Sequence, residues 1–117
     1  MGFSHSTYHA FGVHVPRGQY QTGHLNSECE WVDAVIRHTE GLDNRLLGHL
    51  PAGDYDRDQL FLVASEPGEK LQVELGSFRV LSEVDVTGRA EAIKALAEAA
   101  GYTITAEPGW LVVPDCS

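Results

Sequence analysis

Between residues 6 and 15 the side chains alternate with the period of a strand: His9, Phe11, Val13 and Val15 share one face, and Ala10, Gly12 and His14 share the other. Pro16 ends that strand. The polar run from Arg17 to Asn26 predicts a loop. Ser27 and Glu30 then have the spacing of a capping box, in which a hydroxyl and a carboxylate each take an orphan N–H at a helix start. Trp31, Val32, Val35, Ile36 and Thr39 recur at helical spacing, and Gly41 supplies the stop. Leu46 to Leu50 predicts a strand, since Gly48 and Pro51 suit a helix poorly. Leu60 to Ala64 is apolar without a break, which predicts a central strand covered on both faces. Glu66-Pro67-Gly68-Glu69 fits a type II turn. Leu71, Val73 and Leu75 share a face, and Phe78 and Val80 resume it with the opposite parity, so a β-bulge is expected at Gly76-Ser77. A second helix, from Gly88 to Ala100 with Asp85 or Thr87 as its cap, buries Ala90, Ile93, Leu96, Ala97 and Ala100 and sets Lys94 beside Glu98. Tyr102–Thr105 and Trp110–Val113 predict a closing hairpin around Glu107-Pro108-Gly109.

This order predicts a single α+β domain over residues 1–117, a mostly antiparallel sheet of about five or six strands with two helices packed on one face. A strand that is apolar on both sides leaves the second face of the sheet to be covered. Either the sheet curls over itself or a second copy packs there as a homodimer.

At 117 residues and 43% hydrophobic, the chain has material for a core without metals or disulfides. Its charge narrows the partners. Seventeen acidic residues against eight basic give a net charge of -9, which disfavours direct contact with nucleic acid or an anionic membrane surface. A protein partner with a basic surface fits the sign. Cys29 and Cys116 do not make a disulfide framework and are read as reduced thiols. With no basic-then-apolar leader at the start and no apolar run of bilayer length, the expected location is cytoplasmic.

The candidate chemistry centres on Gly53-Asp54-Tyr55-Asp56-Arg57-Asp58, an acidic loop with a tyrosine in it. Asp54, Asp56 and Asp58 are hard oxygen donors of the kind Ca²⁺ and Mg²⁺ prefer, so one reading is a divalent-cation module or small metal-dependent hydrolase, with His49 as a further ligand. An EF-hand loop does not follow, because Gln59 stands where its glycine belongs and Ser65 where its bidentate glutamate belongs. His5 and His9 share a parity upstream of Cys29, yet no histidine pair has zinc-finger or metalloprotease spacing. His5-Ser6-Thr7 matches one of the two His-x-Thr motifs of 2H phosphoesterases, and no second copy follows it. Cys29 would gain acidity from a helix N-terminus, but Glu28 and Glu30 oppose that effect. No catalytic residue is therefore assigned. The other reading needs no missing motif: Asp54, Tyr55, Asp56 and Asp58, with Tyr20 from the first loop, form a contact surface for a basic protein. It makes the chain a non-enzymatic interaction module of the inhibitor, immunity or counter-defence type. Trp31 and Trp110 are assigned to the core.

Two segments, Gly48-His49-Leu50-Pro51-Ala52-Gly53-Asp54-Tyr55-Asp56-Arg57-Asp58-Gln59-Leu60-Phe61-Leu62 and Pro108-Gly109-Trp110-Leu111-Val112-Val113-Pro114-Asp115, resemble small uncharacterised acidic proteins of actinobacteria and their phages. The resemblance implies a setting and carries no activity or site residue with it.

Overall fold

A computed structural model describes residues 5–42, 45–54, 57–65, 71–74, 76–81 and 85–116. The fold is α+β, with five antiparallel strands in one curled sheet and two helices on one of its faces. In chain order the elements are β1 (His5–Val15), α1 (Leu25–His38), β2 (Leu47–Asp54), β3 (Arg57–Ala64), β4 (Leu71–Glu74), α2 (Arg89–Ala100) and β5 (Gly109–Cys116), with one 3-10 turn at Arg17–Gln19. No helix among the described residues is long and apolar enough to cross a membrane.

The long β1 organises the sheet. Ser6 to His9 pair with both β4 and β5, and Gly12 pairs with both Val63 of β3 and Gly109 of β5. A strand has two edges, so β3 and β4 follow one another along one of them and β5 holds the other. β2 lies beyond β3. The alternation read from the sequence sorts the side chains. Phe11, Val13 and Val15 join Leu60, Leu62 and Ala64 beneath Val32, Val35 and Ile36 of α1 and Ile93, Leu96 and Ala97 of α2. On the opposite face Ala10, Leu50, Ala52, Phe61, Val63 and Val113 form a second, smaller core. β2 and β5, at the two ends of the curl, touch across it. The sheet thus covers its own second face, and β3 is buried on both sides as its unbroken apolar run requires. At Gly12 the curl is tight enough that a Cβ there would overlap the carbonyl oxygen of Leu62 and meet Val63 Cγ1 at 3.0 Å.

Several local expectations are corrected. α1 opens at Leu25, before the Ser27/Glu30 box, and neither residue caps it; the carboxylate of Glu28 takes the loop N–H groups instead. β2 runs through Pro51 to Asp54, and an edge strand can hold a proline because one row of its N–H groups has no ladder partner. The strand expected to continue to Val80 stops at Glu74. Gly76 adopts φ 88°, the Ser77 N–H donates to the Glu74 carbonyl at 3.0 Å, and the chain turns where a bulge was expected. Phe78 and Val80 are therefore outside the sheet, 81% and 84% exposed. Residues 102–105 are not a strand, so β5 has no hairpin partner and pairs with β1. Lys94 bonds Glu107 at 2.8 Å rather than Glu98. α2 does end at Gly101 (φ 88°), while at its start Asp85 accepts the Thr87 N–H at 2.9 Å and Gly88 holds the cap position. The turn expected at 66–69 lies outside the described residues.

Candidate functional site

The acidic segment belongs to the β2–β3 hairpin. The ladder pairs Gly53 with Asp58 and Asp54 with Arg57, so much of the expected loop is strand. Tyr55 and Asp56 lie outside the described residues. Because facing residues share a face and neighbours alternate, positions 54 and 58 fall on opposite faces of the hairpin. Among the described residues no group of three or more His, Cys, Asp or Glu is placed to hold a metal ion.

His49 sits five positions before Asp54 on β2, and its Nε2 lies 3.2 Å from Asp33 Oδ1 of α1. Its Nδ1 is buried without a hydrogen-bond partner among the described residues, as is Nε2 of His14. His9 is stacked on Trp110, with ring centroids 4.8 Å apart and planes 11° from parallel. The Cys29 thiol is pushed up, first by burial and then by Asp33, Glu28 and Glu30, which suits a packed thiol and not a nucleophile.

Tyr20 is used by the fold. Its ring packs on the main core, and its hydroxyl accepts the Leu60 N–H at 2.9 Å, tying the first loop to β3. Burial is the main cause that raises its phenol, so it stays neutral. Tyr20→Phe leaves the buried Leu60 N–H without its acceptor and is expected to cost about 1 kcal/mol in urea unfolding.

Behind Tyr20 lies a polar cluster that the sequence reading passed over. Glu28 is fully buried. Its Oε1 accepts the Gln21 N–H at 2.8 Å and the Tyr102 hydroxyl at 2.6 Å, and its Oε2 accepts the Thr22 N–H. Gln21 Nε2 donates to the Gly101 carbonyl at 3.0 Å, and Gln19 Oε1 accepts the Thr103 N–H at 3.1 Å. These bonds stitch the loop after β1 to the segment after α2. Trp31, expected in the core, is 38% exposed and lies along the same seam, its indole N–H donating to the Ala100 carbonyl at 2.9 Å. The signal for Glu28 was in the spacing: it precedes Val32, Val35 and Ile36 by four, seven and eight residues, which puts a carboxylate in the buried stripe. Every strong donor in the cluster is used by the fold itself, so it reads as a structural clamp.

No protein-family model matches the chain, and neither a curated protein nor a solved structure is significantly similar to it.

Proposed function

We propose that this chain is a non-enzymatic protein-interaction module of the inhibitor, immunity or counter-defence kind, offering Asp54, Tyr55, Asp56 and Asp58 to a basic surface on a partner protein. The observation that carries the reading is the β2–β3 ladder, which runs in register from the Leu47–Ala64 pair to the Asp54–Arg57 pair. The acidic segment is thus joined at both ends to strands whose inner residues are locked in the two cores. A preorganised contact loses less entropy on binding. The net charge of -9 sets the sign of the partner and favours fast encounter with a basic one. Tyr20 serves this surface indirectly, by bracing β3 through Leu60. The immunity or counter-defence role is an analogy from size and charge, and the actinobacterial or phage setting comes from the sequence resemblance.

The test is an affinity pull-down from an actinobacterial lysate, comparing the wild type with Tyr55→Ala/Asp56→Ala. The expected result is a stoichiometric partner held by the wild type and lost by the variant, with Tm of the variant within about 2 °C of the wild type. Rising salt should weaken the complex, because exposed opposite charges are screened. An empty wild-type lane, or a partner that the variant retains, refutes the reading.

A further inference from the structure

β4 ends the sheet. One of its edges pairs with β1, and among the described residues the other has no ladder partner. The chain turns as it leaves β4: the N–H and the hydroxyl of Ser77 both donate to the Glu74 carbonyl, at 3.0 and 2.8 Å, and Gly76 supplies a positive φ of 88°. Residues 78–81 then continue outside any helix or strand, with Phe78, Val80 and Leu81 exposed. Bulky apolar side chains are costly to leave in water, and the turn that leads to them starts from an open strand edge.

The bonding is that of a hairpin closed only at its turn. Where two strands are joined by a two-residue loop, the residues flanking the loop exchange N–H···O=C bonds. The bond from Ser77 to Glu74 is one half of such a rung. A residue's N–H and C=O leave a strand on the same edge, so Glu74, and Gln72 two positions before it, offer theirs away from β1. The register set by this rung puts Val73 opposite Phe78, Gln72 opposite Arg79 and Leu71 opposite Val80. Each pair then matches. Apolar residues meet on the face that carries Thr7 and His9 of β1, while Arg79 comes opposite Gln72 and diagonal to Glu74 on the other face. We propose that residues 77–81 are a strap that zips onto the free edge of β4 as a sixth strand, the chain exchanging between an open form and this closed one. Closing pairs the bare edge of β4 and gives Phe78 and Val80 apolar neighbours. Opening exposes both again, so the strap controls whether this end of the sheet can accept an extended segment of another protein. Gly76 is the hinge: a Cβ there would meet no atom within 4 Å, so the position uses only its backbone freedom. The strap shares no residue with the acidic hairpin and stands independently of it.

Disulfide trapping in the full chain tests it, in a Cys116→Ser background that leaves Cys29, packed against the core, as the remaining native thiol. Gln72→Cys/Arg79→Cys sets two thiols directly opposite in the closed ladder, with Cα atoms about 5.5 Å apart, inside the span of a disulfide. Glu74→Cys/Arg79→Cys is the control. It is a diagonal pair, about 7–8 Å apart and at the limit of that span, yet it closes the shorter loop and would win in a strap that moves at random. All three positions are exposed, so both variants should keep the wild-type melting curve. In a glutathione redox buffer the opposed pair should form its disulfide at least about tenfold more favourably than the diagonal one. Gly76→Val, which removes the residue that tolerates a positive φ, should abolish the difference. Equal disulfide stabilities, a diagonal pair that forms more readily, or a preference that survives Gly76→Val would each overturn the proposal.

Discussion

Gly12→Ala is expected to destabilise the protein by about 3 kcal/mol, a large effect for the addition of one methyl group. Gly12 is the residue of β1 that pairs with β3 and β5 at once, and it faces the inside of the curl. A Cβ at this position would overlap the Leu62 carbonyl oxygen. That oxygen is main chain, on a strand buried on both faces, and cannot swing aside as a flexible side chain would. Relief requires β1 and β3 to part, which opens both cores together. Gly48→Ala on β2 is the control. Its new Cβ would meet only Val63 Cγ2, at an ordinary 3.8 Å, so stability should stay within about 0.5 kcal/mol of the wild type. Urea unfolding of the two variants side by side decides the matter. Equal stabilities would mean that the sheet is not folded this tightly at Gly12.

The second large effect is expected at Glu28. Glu28→Gln replaces a carboxylate that accepts three bonds with an amide, one end of which is itself a donor and would face the N–H groups it should receive. A cost of about 3 kcal/mol follows, in the range for breaking a buried, charge-assisted network. The pH dependence identifies the cause. Burial alone would raise the Glu28 carboxyl, but the bonds from Thr22, Tyr102 and Gln21 outweigh it and hold the group below the usual carboxylate range. Its partner responds in the opposite direction: burial, and then donation to Glu28, keep the Tyr102 phenol protonated far above its ordinary value. Since the Glu28 carboxyl titrates lower in the folded state than its unfolded value of about 4.3, its contribution is complete above that pH and is lost as pH falls through the folded value. The stability gap between wild type and Glu28→Gln should therefore be flat at neutral pH and close in acid. Tyr102→Phe, which removes one of the three donors, should cost about 1–2 kcal/mol. A gap that is independent of pH would place the loss elsewhere.

Much of this fold was legible in the sequence, and the exceptions have physical reasons. Alternation in β1, the unbroken apolar run in β3 and the alanine-rich stripe of α2 each reflect burial, which periodicity reports directly. The expected strand at 78–80 and hairpin at 102–105 rested on local apolar content, but pairing is settled by which edge is free. β1 offers an edge to β5 over eight residues, twice the four that Tyr102–Thr105 could have supplied. Phe78 and Val80 resume the alternation of a strand, and the positive φ of Gly76 that turns the chain away leaves no periodic trace. The same limit applies to the candidate surfaces. The acidic stretch stood out as composition, yet only the ladder assigns positions 54 and 58 to different sides. The exposure of Trp110 and Val112 could not be read either, because both have the alternation of a half-buried strand.

The pairing of β1 with β5 also shapes how the chain reaches this state. Ser6 to Gly12 find a ladder partner at Gly109 to Asp115, about a hundred residues downstream. Synthesis delivers β1 first, and that edge then waits with its N–H and C=O groups unpaired while the helices and the rest of the sheet emerge. Loop-closure entropy must be met before the ladder returns any stabilisation. During this interval the open edge is a template for any extended segment nearby, so β5 acts as the closing clasp that retires an association-prone edge of the nascent chain.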